Sequence, residues 1–198
     1  MATRLLRAPS VGSPSAEPIT TAEAKAQCDI GSGDSTHDTM MGSLITAARQ
    51  KWERDTDTVC VTSTVIEKLD TLCGEWIELA KRPVQSVTSI YYYTTAGSNT
   101  LLSSSLYTLD VYAPQPRIVL NYDEDWPDVR GHYGDVTVTY VAGYNGASNV
   151  PTAWKQAMLL LISHWFEHRS TVNIGNVVNE VPLAYESLAM SWRRSTYP

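Results

Sequence analysis

The chain has 198 residues, of which 43% are hydrophobic and 18% are charged, and its formal net charge is −6. This composition excludes an intrinsically disordered chain, and the length suffices to bury a core without disulfide bonds. The acidic balance argues against a protein that wraps nucleic acid, which requires a basic surface, but it is compatible with a ring through which DNA slides. Six tryptophans and eleven tyrosines accompany one phenylalanine. That bias favours interfaces, because both side chains combine apolar area with a polar group.

The cysteines Cys28, Cys60 and Cys73 are irregularly spaced and form no Cys-x-x-Cys pair. The sequence therefore predicts reduced thiols made in a cytoplasm, with neither a zinc site nor a disulfide framework. No run reaches the roughly 18 apolar residues that a membrane span requires. Residues 1–7 carry charge but lack the apolar region of a signal peptide.

The first part of the chain predicts an arm and two helices. Residues 1–17, rich in Pro, Ser, Ala and Gly, predict a mobile N-terminal arm. Thr20 and Glu23 have the spacing of a capping box, which predicts a short helix. A longer helix is predicted over 37–54, with its cap among residues 34–36. Its apolar residues recur at helical spacing and form one stripe: Met40, Met41, Leu44, Ile45, Ala48 and Trp52.

The middle of the chain changes to the alternating pattern of β-strands. Short β-branched or alternating runs follow one another at intervals of about ten residues, which predicts a small antiparallel sheet, sandwich or barrel. The predicted strands lie near 58–66, 75–79, 84–93, 107–111, 117–120 and 135–141.

Two further helices complete the predicted architecture, over 151–168 and 181–192. Because two pairs of helices flank the strands, each pair needs the other to bury its apolar stripe. The sequence thus predicts an α+β fold, a helical bundle of two N-terminal and two C-terminal helices with an inserted antiparallel β subdomain. The predicted divisions are an arm over 1–17, a bundle over 18–57 and 150–192, a β subdomain over 58–149, and a C-terminal arm over 193–198.

The end of the third helix matches a metalloprotease signature. His164, Glu167 and His168 fit the pattern H-x-x-E-H, in which two histidines share a helix face and the glutamate serves as a base. A third ligand would have to come from Glu180 or Glu186, neither of which lies in a second motif. Three fixed positions arise often by chance, so a zinc-dependent hydrolase is the alternative interpretation and a buried His164 with a helix-ending His168 is the preferred one.

Three other patterns invite a functional interpretation. The acidic run 123–128 lacks the spacing of a calcium loop and predicts a solvated loop anchored by its tryptophan. Tyr91, Tyr92 and Tyr93 have the aromatic character of a base-stacking strand, but they lack basic neighbours and favour packing or a protein interface. The C-terminal arm combines aromatic and arginine side chains, which is typical either of an interface anchor or of a frayed terminus.

Five segments, taken in order, resemble one protein family. They are residues 17–25, 45–53, 82–90, 136–144 and 150–168. Together, over about residues 17–192, the chain resembles the longer variety of tailed-phage head–tail connector proteins, also called head-completion or adaptor proteins.

The resemblance implies a structural protein of the virion, made in the host cytoplasm, with no catalytic residue, metal or cofactor. Its fold would be a helical bundle with an inserted β region. It implies a dodecameric ring of adaptor subunits beneath the portal protein, which extends the channel for packaged double-stranded DNA and docks the tail or a stopper protein. No membrane is involved. A stopper or tail-completion protein, which would bind the adaptor ring, is the second alternative.

On this interpretation two sets of side chains make the contacts. Ring closure needs two different patches on each subunit, and the helices 37–54 and 151–168 would supply them. The predicted subunit-interface residues are Met41, Ile45, Arg49, Trp52, Trp154 and Trp165. The predicted portal-binding residues are Trp192, Arg193, Arg194 and Tyr197.

Overall fold

The computed structural model describes residues 9–168 and 183–193. Four helices occur there: α1 (Thr21–Gln27), α2 (Asp38–Thr56), α3 (Thr152–Glu167) and α4 (Leu183–Met190). Eight strands are β1 (Ser10–Val11), β2 (Ser63–Leu69), β3 (Trp76–Glu78), β4 (Val84–Tyr93), β5 (Asn99–Leu101), β6 (Tyr107–Asp110), β7 (Arg117–Leu120) and β8 (Val136–Ala142). The predicted α+β class, with two helices on each side of an antiparallel β region, is confirmed.

The chain divides into two compact units. We call Met1–Ser15 with Thr62–Tyr144 the β unit, and Ala16–Val61 with Asn145–Pro198 the helical unit. Within the predicted N-terminal arm, Ser10 and Val11 form β1 and pair with Ile66 and Val65 of β2.

The β unit contains two antiparallel sheets. The five-stranded sheet has the order β1-β2-β8-β4-β5, and the three-stranded sheet has the order β3-β7-β6. β2 alternates strictly between buried and exposed residues, because successive side chains of a strand point to opposite faces. The register of β4 on β8 shifts at two places, between Val84 and Ser86 and between Val87 and Ser89, and each shift is a bulge that restores the inward face.

One buried cluster ties the loop after β3 to the five-stranded sheet. Glu67 is 1% exposed, and its Oε1 accepts hydrogen bonds from the Ala80 N–H, at 2.8 Å, and from the Tyr140 hydroxyl. The Lys81 N–H donates to that hydroxyl at 3.1 Å. Burial and the neighbouring Glu67 raise the pKa of Tyr140 far above its ordinary value, so this hydroxyl stays a donor.

The helical unit is built around α2 and α3. In the described residues α1 packs on both, and α4 packs on α3 and α2. The buried side chains of α2 repeat at helical spacing, and those of α3 do the same, so each helix buries one stripe. The largest of them are Met41, Trp52, Trp154, Met158 and Leu161.

The starts of α1 and α2 differ in their capping. The predicted capping box is confirmed: the Thr20 hydroxyl accepts from the Glu23 N–H at 3.2 Å, and the Glu23 carboxylate accepts from the Thr20 N–H at 2.7 Å. The predicted cap of α2 among residues 34–36 is wrong. His37 occupies the cap position without a side-chain hydrogen bond within the described residues, because the Asp34 carboxylate instead accepts the Thr36 N–H and closes a local turn.

Replacing the cap of α1 should weaken the helical unit by a predictable amount. We expect Thr20→Ala to lower the free energy of unfolding by about 1 kcal/mol, since it leaves the Glu23 N–H without its acceptor. Urea denaturation measures this change. Thr21→Ala, one residue further on and inside the helix, is the matched control and should change stability by less than about 0.5 kcal/mol. Equal losses in the two variants would contradict the role of the cap.

Candidate functional site

The metalloprotease pattern ends at the terminus of α3. His168 is the first residue after the helix, its ring stacks on that of His164 at 4.7 Å between centroids, and its Nδ1 lies 3.0 Å from the His164 carbonyl oxygen. This position agrees with the prediction that His168 ends the helix, whereas the predicted burial of His164 is wrong, because His164 is partly exposed.

The surroundings of this pattern do not assemble a ligand set within the described residues. There, no group of three or more His, Cys, Asp or Glu side chains is arranged to hold a metal ion. Glu186 lies in α4, and Glu180 falls outside the described residues. Nearby Cys28 has a raised pKa because of burial and the negative charges of Glu167 and Asp29, so its thiol stays protonated at neutral pH.

The acidic run lies beside a groove of the β unit. Trp126 anchors it, as predicted, by donating its indole N–H to the Gly74 carbonyl at 2.8 Å. The groove has a volume of about 850 Å³, and its lining includes Tyr122, Trp126 and the carboxylates of Glu75, Glu124, Asp125 and Asp128.

The three consecutive tyrosines alternate between the two faces of β4. Tyr91 and Tyr93, which are 40% and 37% exposed, lie on one face of β4, and Tyr92 lies on the other. The Arg130 guanidinium lies 4.9 Å from the centroid of the Tyr93 ring, and Arg130 also pairs with Asp135 at 2.6 Å.

The predicted subunit-interface residues are mostly inside the protomer. Met41, Ile45, Trp52 and Trp154 are 0–3% exposed and Arg49 is 7% exposed, whereas Trp165 is partly exposed. The apolar area of the four most buried side chains is already used within the chain. Of the predicted set, only Trp165 presents an appreciable surface to a partner.

The buried tryptophans belong to an aromatic cluster, which we define as Trp52, Trp154, Tyr185 and Trp192. The ring centroids of Trp52 and Trp154 are 5.5 Å apart, Tyr185 meets Trp52 edge-on at 6.2 Å, and Trp192 meets Trp154 edge-on at 5.3 Å. These separations are typical of favourable aromatic pairs. The cluster joins α2, α3 and α4, and Trp192, 36% exposed, is its outermost member.

A polar chain continues from the cluster to the surface. The Tyr185 hydroxyl donates to Asp55 Oδ2 at 2.8 Å, and Lys51 Nζ pairs with the same oxygen at 2.8 Å. Burial alone would raise the pKa of Asp55, but the hydrogen bonds from Lys51 and Tyr185 outweigh it and hold the pKa below its ordinary value. Burial and the neighbouring Asp55 raise the pKa of Tyr185 well above its usual range.

Arg49 forms a clamp on the opposite side of α2. Its guanidinium contacts Glu17 at 2.8 Å and Glu53 at 2.8 Å, and Glu53 also accepts the Cys60 N–H at 2.9 Å. Burial raises the pKa of Glu53, with the Cys60 N–H and Arg49 opposing it. The clamp thus ties residue 17, α2 and the segment after α2 together.

The sequence analysis predicted neither the clamp nor the polar chain, although a local signal existed for part of each. The pairs Arg49–Glu53 and Lys51–Asp55 have the i,i+4 spacing of helix salt bridges and were visible in the sequence. Glu17 and Tyr185 carried no signal, because their partners are 32 and 130 positions away.

Two of the four predicted portal-binding residues, Trp192 and Arg193, are the last described residues of the chain. Trp192 packs on Trp154 and is partly exposed, and Arg193 is exposed while its N–H donates to the Ala189 carbonyl at 2.9 Å. Arg194 and Tyr197 fall outside the described residues.

Comparisons with solved structures find chains of the same fold. A chain from the virion of a native gene transfer agent (GTA) particle matches with a TM-score of 0.77 and 21% identity, over 98% of this chain and 97% of that one. A chain from the neck of an empty GTA particle, computed with C6 symmetry, matches with a TM-score of 0.75 and 21% identity over 96% and 97%. A chain from the neck of a native GTA particle, computed with C12 symmetry, gives 0.69 and 20% over 96% and 97%. No family model matches the sequence, and no curated protein does.

The bond between Tyr185 and Asp55 predicts a pH-dependent loss of stability. We expect Tyr185→Phe to lower the free energy of unfolding at pH 7 by about 1.5–3 kcal/mol, the range for hydrogen bonds to charged groups. The pKa of Asp55 is lower in the folded chain than in the unfolded chain, where it is near 3.9. Ionised Asp55 therefore stabilises the fold above that pH, and the contribution is lost as the pH falls through the folded pKa. The difference between wild type and variant should therefore shrink below about pH 4. Denaturation across pH measures it, with the exposed Tyr112→Phe as control.

The clamp predicts that Arg49 matters to the fold of a single protomer. We expect Arg49→Gln to destabilise the protein by about 3–5 kcal/mol, because it leaves two partly buried carboxylates without their cation. Arg54→Gln is the matched control on the same helix. Arg54 is 75% exposed and 3.7 Å from Asp55, so its loss should cost under about 1 kcal/mol. Thermal unfolding of the two variants, measured side by side, tests this. Equal melting temperatures of the two variants would contradict the role of the clamp.

Proposed function

We propose that this chain is a structural neck protein of a tailed-phage-like particle, and specifically a head–tail adaptor that forms a dodecameric ring beneath the portal. The observation that supports it is the whole-chain similarity in fold to chains of GTA virions and necks, with 96–98% of this chain covered. Because both the helical unit and the β unit are included, the similarity is not that of one common subdomain.

The symmetry of the neighbouring particles supports a ring. Two of the three similar chains come from necks computed with C6 and C12 symmetry, and a ring of identical subunits uses heterologous contacts that close on rotation. In the proposed assembly, Trp165 on the partly exposed side of α3 contributes to one of the two patches. The other predicted interface residues are buried and would support that patch from inside the protomer: Met41, Ile45, Arg49, Trp52 and Trp154.

The charge balance supports a channel that does not grip DNA. With a net charge of −6, the ring would repel phosphates weakly and let packaged double-stranded DNA slide, whereas a basic lumen would bind it in a salt-dependent way. In this role the protein acts by geometry and catalyses no reaction, and it resides in the virion after synthesis in the host cytoplasm. In the described residues no helix is long and apolar enough to span a bilayer.

The C-terminal arm is the proposed portal anchor. Trp192 and Arg193 stand at the surface of the helical unit, where the chain continues into Arg194 and Tyr197. Because Trp192 packs on Trp154, a truncation that includes it would also open the aromatic cluster. Removal of residues 194–198 is the cleaner test, since it keeps the cluster and the Arg193 bond to α4.

Native mass spectrometry of the chain, alone and mixed with its cognate portal protein, tests the adaptor assignment. We expect the mixture to gain a ring of copies that matches the portal symmetry. A chain that ignores the portal but binds a preformed adaptor ring would be a stopper or tail-completion protein. A chain that binds neither and carries stoichiometric zinc, lost in His164→Ala, would be the hydrolase.

The same assay tests the anchor. We expect deletion of residues 194–198 to weaken portal binding at least about tenfold, a loss of about 1.4 kcal/mol, while circular dichroism and the melting temperature stay unchanged. Deletion of residues 1–8 is the control, because it removes a terminal segment with two arginines, one more than the C-terminal deletion removes. Unchanged portal binding after the C-terminal deletion would exclude this arm as the anchor.

A further inference from the structure

In the part of the chain that the structure describes, the side chains on one face of the five-stranded sheet are exposed or partly exposed. We define the outer sheet face by the side chains that alternate away from the buried ones, and the strand register aligns them in rows. One row joins Ile66 of β2, Thr139 of β8 and Ser89 of β4, and the next joins Lys68, Thr137, Tyr91 and Leu101. The remaining members are Ser10, Thr64, Ser86, Tyr93, Asn99 and Val141.

This face has almost no net charge in an otherwise acidic chain. Among the outer-face side chains of the described strands, Lys68 carries the one unbalanced charge, and at one end the Arg130 guanidinium over Tyr93 is neutralised by Asp135. Hydroxyl and apolar side chains and the amide of Asn99 make up the remainder. Depletion of charge with enrichment in tyrosine is the compositional signal of the centre of a protein interface.

Large side chains on the same face are exposed to solvent. Leu101 is 55% exposed, Ile66 41% and Tyr91 40%. Tyr91 and Leu101 are direct cross-strand partners, so their exposed surfaces form one continuous strip. Covering such an apolar strip with another protein surface lowers the free energy.

We infer that the outer sheet face is a contact surface for a second copy of this chain. The inference rests on the proposed ring assembly and specifies which surface one subunit offers to the next. Copies that each carry a charge of −6 repel one another, and a face free of unpaired carboxylates is where they approach at the lowest electrostatic cost. DNA fits this face poorly, since phosphate binding requires several cations and the face provides one unpaired lysine.

The size of the face determines the strength expected of the contact. The five strands contain 29 residues, which at a rise of about 3.4 Å and a strand spacing of about 4.8 Å give a face of roughly 470 Å². A standard interface buries about 800 Å² on each partner. The contact is therefore weak and forms between free copies only at high concentration. In a closed ring, the free energies of several such contacts add together.

Sedimentation velocity from about 5 to 500 µM tests this contact with paired variants. We expect wild type to self-associate with a dissociation constant of about 50–500 µM, and Ile66→Glu/Tyr91→Glu to weaken it at least about tenfold. Tyr112→Glu/Tyr122→Glu is the control, because it adds the same charge at two tyrosines that are each 97% exposed and lie off this face. Its dissociation constant should change less than about threefold. Melting curves verify that all variants fold.

Photo-crosslinking identifies the contact directly. With p-benzoylphenylalanine in place of Tyr91, we expect crosslinked dimers at 500 µM whose joined peptides both belong to this chain, and far fewer with the probe at Tyr112. Wild type that is monomeric at 500 µM and gives no crosslink at position 91 would overturn the inference, as would equal weakening by the two double variants. A ring that forms normally on the portal with Ile66→Glu/Tyr91→Glu would overturn it while leaving the adaptor function in place.

Discussion

The contact between Trp52 and Trp154 is the interaction on which the helical unit depends. It joins α2, before the β unit in sequence, to α3, after it, with ring centroids 5.5 Å apart and both side chains at most 1% exposed. About eighty intervening residues form the β unit, so this contact closes a long loop, whose entropic cost grows only slowly with length. Tyr185 and Trp192 then pack on these two rings, so the positions of α4 and of Trp192 follow from it.

Charged groups around this apolar centre fix its geometry more than they add stability. Arg49 links Glu17 and Glu53, and Tyr185 and Lys51 share Asp55. Paired charges with little solvent gain attraction but lose hydration, so their net contribution is small while the loss of one partner is costly. The predicted interface residue Arg49 illustrates this: its charge is satisfied inside the protomer, which removes it from the surface available to a neighbour.

The β unit has a buried inner side and an outer surface that is neutral in one place and acidic in another. Its inner positions, with Glu67 and Tyr140 among them, are buried and hydrogen-bonded. The outer sheet face is neutral, rich in hydroxyl groups and partly apolar, and the acidic groove beside Trp126 carries much of the local negative charge. In the proposed ring, this separation of neutral and acidic surfaces would allow contact between copies while the remaining surface repels phosphate.

Local patterns in the sequence determined the elements, and tertiary structure decided which side chains are available. Helical and alternating periods gave the helix–strand–helix order, and the spacing of Thr20 and Glu23 gave the capping box, because both depend on neighbours within four residues. An apolar stripe predicts a helix but does not distinguish a core from a subunit interface. Trp52 of α2 and Trp154 of α3 were therefore predicted as subunit-interface residues, although they pack on each other inside the protomer. The pairing of Ser10–Val11 with β2, and of Tyr185 with Asp55, joins residues 54 or more positions apart. Such pairs are set by the packing of the whole chain, for which no local pattern exists.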